Sequence, residues 1–287
     1  DRSVSRGLGD VYKRQIITLK NKPVFDEDTR KKGRTMSLLK KIHPEQPLKE
    51  LRWFDIGIVT LIMFGQFIVR STQMYLASLS PSLSTAVSET ATNTASEGAA
   101  YSSNFTLQII LLALAIIYLW IRHFDFKQLP IRLKWSVLFW VPFFFAIMGL
   151  FADMVSTLSG QYNYFSPQVL AFISPMAVIN KFMALSPMAI AYGLLNGFYE
   201  EFFFLGLLTS VKDKYKWLVL LFSTIVRVSF HTYQGMLWAL VIGVAFGLLY
   251  YFLYKYKVKN LLPFFLVHAL ADMFGSSLIY LLVNWNY

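Results

Sequence analysis

The sequence predicts an all-α polytopic membrane protein, a transmembrane helical bundle of about seven spans with its N-terminus inside and its C-terminus outside. Three observations predict it. Hydrophobic residues make up 56% of the 287-residue chain and charged residues only 15%, against roughly 45–50% and about 25% in a soluble domain. The apolar residues come in runs near the roughly 20 residues needed to cross about 30 Å of hydrocarbon. Lysine and arginine collect in alternate loops, as the positive-inside rule requires. The net charge of +11 is therefore read as cytoplasmic loops facing anionic membrane lipid, with no nucleic acid as partner. The absence of cysteine excludes disulfides, thiolate metal sites and cysteine nucleophiles.

Taken in order, residues 1–35 are read as a non-native or disordered leader. Their first stretch, DRSVSRGLGDVYKRQ, has no hydrophobic core of a signal peptide. Met36 is the expected natural start, opening a basic cytoplasmic segment over 36–52 with Lys40, Lys41, Lys49 and Arg52. An N-terminal transmembrane region over 53–182 follows. Its spans are Phe54–Leu79, Phe105–Ile121 and Trp135–Leu158, and the apolar stretch Phe165–Ile179, broken by Pro167 and Pro175, is expected to be re-entrant or interfacial. A core over 183–287 holds four more spans: Met183–Leu208, Trp217–Tyr233, Met236–Tyr254 and Leu261–Trp285. The loop after span one has Glu89 and Glu97 but no Lys or Arg. Basic residues follow span two (Arg122, Lys127, Arg132, Lys134), span four (Lys212, Lys214, Lys216) and span six (Lys255, Lys257, Lys259), whereas only Lys181 follows span three. No internal repeat of the inverted transporter type is visible.

Ionisable groups at bilayer depth cost at least roughly 2.5–3.5 kcal/mol each on insertion scales and so call for a role. Arg70 and Asp153 are isolated and are expected to snorkel or to form structural pairs, while Asp55 lies at a span edge within reach of water. Six others fall in three of the last four spans: Glu200 and Glu201, Arg227 and His231, His268 and Asp272. The last two pairs have i, i+4 spacing and each lies on one helix face. The adjacent glutamates point about 100° apart, so one can face a reaction while the other supports the structure.

A carboxylate and a histidine can deprotonate a water, and a second histidine with a polar partner can donate to a developing oxyanion. That set suits hydrolysis of an amide bond in a water-filled cavity. Glu200, His231, His268 and Asp272 are equally a candidate ligand set for a divalent metal such as zinc, and the residues alone leave both chemistries open. The zinc-helix pattern H-E-x-x-H and the G-x-S-G and G-x-G-D patterns are absent. Ser276 and Ser277 are expected to be small residues of helix packing.

Three motifs in order, Glu200-Glu201-Phe202-Phe203-Phe204-Leu205, Arg227-Val228-Ser229-Phe230-His231 and His268-Ala269-Leu270-Ala271-Asp272, resemble the CAAX protease and bacteriocin-processing family of intramembrane glutamate endopeptidases. The resemblance covers about Ser186–Leu282. It implies that Glu200 activates water assisted by His231, that His268 and Asp272 form the oxyanion hole, and that Glu201 supports. It further implies a membrane-bound or amphipathic peptide as substrate and, for bacterial members, a link to bacteriocin immunity in the cytoplasmic membrane. The chain departs from the family pattern twice: Leu205 stands where the family has Arg, and Arg227 where it has Phe. Two adjacent buried carboxylates need a cation, so Arg227 is expected to reach across to Glu201 and replace the missing arginine. The competing expectations are a catalytically silent immunity or scaffold protein, which would tolerate Glu200→Gln, and a proton-coupled transporter, which would need acids at stepped depths through the whole membrane, a ladder not visible in spans one to three.

Overall fold

The structure is a computed structural model in which residues 46–79 and 97–284 are described. The expected leader, residues 36–45 of the basic segment and residues 80–96 of the loop between the first two spans lie outside them. Among the described residues the chain is helical throughout, with two isolated β-bridges and no strand. The helices are α1 (Trp53–Leu79), α2 (Glu97–Ile121), α3 (Ser136–Leu158), the short α4 (Pro167–Leu170) and α5 (Pro175–Ala184). They continue as α6 (Pro187–Leu207), α7 (Lys216–His231), α8 (Met236–Val258), α9 (Leu262–Phe274) and α10 (Leu278–Leu282).

Four of these, α1, α2, α3 and α8, are long and apolar enough to cross a membrane, and a fifth is obtained if the bent pair α5–α6 counts as one span. This is a membrane protein with fewer full-length spans than the sequence suggested. The difference has local causes. Serine caps followed by proline start α5 and α6 separately: Ser174 accepts from Met176 N, and Ser186 accepts from Ala189 N at 3.1 Å. Pro175 and Pro187 each occupy the first turn, where a missing N–H costs nothing. The two helices meet at a 100° bend inside the expected fourth span. Expected span five is only the 16-residue α7, stopped at His231 by a 3₁₀ turn and Gly235 at φ +88°. Expected span seven is the 13-residue α9, stopped by Gly275 at φ +78° and followed by the separate α10. Only glycine takes such φ values without penalty.

Asp55 is the clearest departure from expectation. It is fully buried and does not reach water: Arg122 Nε donates to its Oδ1 at 2.6 Å, Tyr118 OH to the same oxygen at 2.7 Å, and Arg52 N to Oδ2 at 3.0 Å. The pair ties the start of α1 to the residue following α2. Asp153 is likewise engaged. It accepts from Ser277 OH and, at 2.9 Å, from Ile279 N, closing the N-terminus of α10, while Ser277 Oγ accepts from Tyr280 N at 2.9 Å. Ser277 is thus a helix cap, not a packing residue. Arg70 is exposed on α1.

The elements that carry the polar cluster are packed backbone to backbone. A Cβ at Gly197 of α6 would lie 2.7 Å from Ala269 N of α9 and against Phe265 O, and one at Gly243 of α8 would lie 2.8 Å from Val228 N of α7. Small residues permit this approach, as is common between membrane helices. The core beneath the cluster is aromatic, with Phe64, Tyr199, Phe203, Phe204 and Phe264 all buried.

Candidate active site

Glu200 and Glu201 close the regular part of α6, immediately before the wide π turn Phe202–Leu207. Such turns re-aim side chains and recur at functional sites. Glu201 is completely buried and takes a two-pronged contact from Arg227, Nη1 to Oε1 at 2.8 Å and Nη2 to Oε2 at 3.0 Å. The planar guanidinium matches the carboxylate in this geometry. Its carbon also lies 4.0 Å from the ring centroid of Phe204, and Leu205 is buried in the core. The cation missing from α6 is therefore supplied from α7.

His268 Nδ1 donates to Glu201 Oε1 at 2.8 Å, which fixes the ring and leaves Nε2 3.6 Å from Glu200 Oε2 and 3.8 Å from Asp272 Oδ2. Glu200 is 4% exposed. Its Oε1 accepts from Asn196 Nδ2 at 3.2 Å, whereas its Oε2 is buried and accepts from no protein donor. Asn196 Nδ2 also donates to Asp272 Oδ2 at 2.8 Å, and Gln108 Nε2 of α2 donates to Asn196 Oδ1. Because Asn196 Oδ1 accepts from the amide of Gln108, its Nδ2 is directed to the two carboxylates. His231 ends α7. Its Nδ1 lies 2.8 Å from the carbonyl of Arg227, an acceptor, so Nδ1 carries the proton and Nε2 has the free lone pair.

Glu200, Arg227, His231, His268 and Asp272 all line one cavity of about 520 Å³, together with Tyr192 and Asn196. Glu201 lies behind this wall. Sequence reasoning missed Asn196 and Gln108, although each is a polar residue within an apolar run and Asn196 is one turn before Glu200.

The metal set expected from the sequence is not the one gathered here. Among the described residues, the group whose ligand atoms all lie within 4.8 Å of one another is Glu200, Glu201 and His268; Asp272, although 3.8 Å from His268, is not part of it, nor is His231. The carboxylate of Glu201 is already neutralised by Arg227, and the proton on His268 Nδ1 points to it. A divalent cation would have to compete with both. The donor set fits a hydrogen-bonded network better than a metal centre.

Residues 182–274 match the family model of type II CAAX prenyl endopeptidases, Rce1-like. The match starts within α5, ends with α9 and includes all six motif residues, so the resemblance read from the three motifs stands. Gln108 and Arg70 lie outside it. No curated protein and no solved structure matches the chain.

Proposed function

We propose that the protein is an intramembrane endopeptidase that hydrolyses a peptide bond of a membrane-associated or amphipathic peptide, with Glu200 as general base. One observation carries the reading: Glu200 lines the 520 Å³ cavity beside the imidazole of His268, and its buried Oε2 has no protein donor. A buried acceptor of this kind costs about 1–3 kcal/mol unless satisfied, and more when charged. A cavity water donating to the Glu200 carboxylate is the reactant that a hydrolase needs.

The remaining groups then have assigned work. Glu200 takes a proton from the water as oxygen attacks the carbonyl carbon, and His231 Nε2 accepts the water's second hydrogen bond. His268 Nε2–H donates to the oxyanion that forms as the carbonyl π bond opens. An ionised Asp272 accepts only, so it serves to orient His268 and Asn196 rather than to donate. The proton on Glu200 passes to the leaving nitrogen as the C–N bond breaks. Glu201, held by Arg227, stays ionised behind His268 and supports its imidazole. The lysine-bearing helix ends would face the cytoplasm of a bacterial cell, with the N-terminus inside and the lysine-poor loops outside.

The test compares newly created protein N-termini in membranes carrying the wild type or Glu200→Gln. Substitution of the base is expected to lower cleavage by roughly 10²–10⁴-fold. Equal cleavage by the two proteins overturns the assignment and leaves binding or immunity without catalysis as the reading.

A further inference from the structure

Resting on the endopeptidase reading, we infer that substrate reaches Glu200 from the face opposite the lysine-rich loops, so that the substrates are exported or surface-presented peptides rather than cytoplasmic tails.

The direction in which the cavity opens carries the inference. Its floor lies nearest the lysine-bearing helix ends. At about 1.5 Å per residue, Glu200 is roughly 10 Å from the end of α6 that leads to Lys212, and His268 roughly 9 Å from the start of α9 that follows Lys259. The floor residues Glu200, His268, Tyr199 and Tyr250 are all buried. Below them the route to the lysine-rich face is plugged. Phe202–Leu207 is buried at every position, and Leu261 and Phe264 are fully buried as well.

Among the described residues, the opposite end of the same cavity is open. Its lining there comes from Arg70, Met74, Tyr233, Gln234 and Gly275, all exposed. Counted from the basic ends of their helices, Arg70 and Tyr233 lie at roughly 25 Å and Gly275 at roughly 20 Å. The opening also has a structural cause. The helices α7 and α9 stop at the Gly235 and Gly275 turns, short of the roughly 30 Å of hydrocarbon that α1 and α3 can cross. Two short helices among long ones leave a well on the side where they stop, and the polar cluster forms its floor. Because Lys and Arg mark the cytoplasmic side, the well faces outward.

The rim chemistry agrees with this direction. Arg227 is committed to Glu201. Among the described residues, Arg70 is then the one other Lys or Arg lining the cavity, and no ion pair engages it. Tyr233, Tyr192, Met74 and Phe67 supply apolar surface to the same cavity, a combination suited to the side chains of an amphipathic segment.

The chain has no cysteine, so single cysteines report sidedness directly. Met74→Cys and Gln234→Cys mark the mouth, and Lys214→Cys marks the lysine-rich face. Each is treated with a membrane-impermeant maleimide in intact cells and in inverted vesicles, after its thermal stability has been checked in detergent. Labelling of both mouth positions in intact cells, with Lys214→Cys labelled only in inverted vesicles, is the expected result. Mouth positions that label only in inverted vesicles, or in neither preparation while the protein remains folded, overturn the inference. The comparison of wild type with Glu200→Gln gives an independent readout. Cleavage differences are expected among exported and surface proteins, and differences confined to cytoplasmic proteins also overturn it. Outward labelling with no cleavage difference in any fraction instead refutes the endopeptidase reading and leaves the outward-facing cavity standing.

Discussion

Replacing Arg227 by Met keeps the aliphatic stem, which packs against Gly247, and deletes the guanidinium that meets both oxygens of Glu201. Glu201 is wholly buried and keeps only His268 as a donor. Removing one partner of a buried pair costs about 3–5 kcal/mol, because the other charge is left uncompensated. At roughly 2–4 °C per kcal/mol for a folded region of this size, the midpoint of thermal unfolding in detergent should fall by roughly 6–20 °C. The loss should be recoverable in two ways. Adding Glu201→Gln removes the orphaned charge and should restore much of the stability, though not the activity. Adding Leu205→Arg puts a cation where the family pattern has one and should restore part of both. A midpoint for Arg227→Met within about 4 °C of wild type, or a further fall on adding Glu201→Gln, would refute the pairing argument.

Two further outcomes follow from the packing. Gly197→Ala places a methyl group against backbone atoms of Phe265 and Ala269, so α6 and α9 must separate; overpacking of about 1–3 kcal/mol is expected in thermal unfolding, with cleavage falling further than stability because Glu200 and His268 ride on the two displaced helices. Asn196→Leu removes the amide shared by Glu200 and Asp272; a misplacement of about 1 Å at a reacting group can cost 10²-fold in rate, and a fall in kcat with little change in KM would mark a positioning role, whereas parallel losses of expression and stability alone would contradict it.

Much of the site was legible because membrane burial makes charge conspicuous. An acid or histidine within an apolar run stands out without any structure, and the i, i+4 spacing places His268 and Asp272 on one face of α9. The Arg227–Glu201 pairing was legible as well, from the need to neutralise one of two adjacent buried acids. What was hidden depended on contacts between distant segments. Asp55 was expected to reach water, but its partner Arg122 lies beyond the far end of α2, and only the packing of α1 against α2 buries the pair. The gathering of Glu201 rather than His231 around His268 was hidden for the same reason. The end of α7 was read to within two residues, but the length of α9 was misjudged because an apolar run continues through Gly275, and hydropathy does not register a positive φ.

The helices outside the family match are part of the site, not a scaffold beside it. Tyr199, next to Glu200, donates its hydroxyl to the carbonyl of Met63 in α1, and Phe64 of α1 packs against Tyr199, Phe203, Phe204 and Phe230. Ser71 of α1 shares a hydrogen bond with Thr232 at 2.9 Å, one residue after His231, and its oxygen accepts from Tyr233 N at 2.9 Å. Gln108 of α2 fixes the amide of Asn196. Thus α6 is held on one side by α9, which brings His268 and Asp272, and on the other by α1 and α2, which set the orientation of Glu200 and the end of α7. These helices also carry Arg70 on the rim. On the endopeptidase reading, the matched segment supplies the reacting groups. The unmatched helices fix their alignment and shape the approach, so differences in substrate among proteins sharing this core should map to α1 and α2.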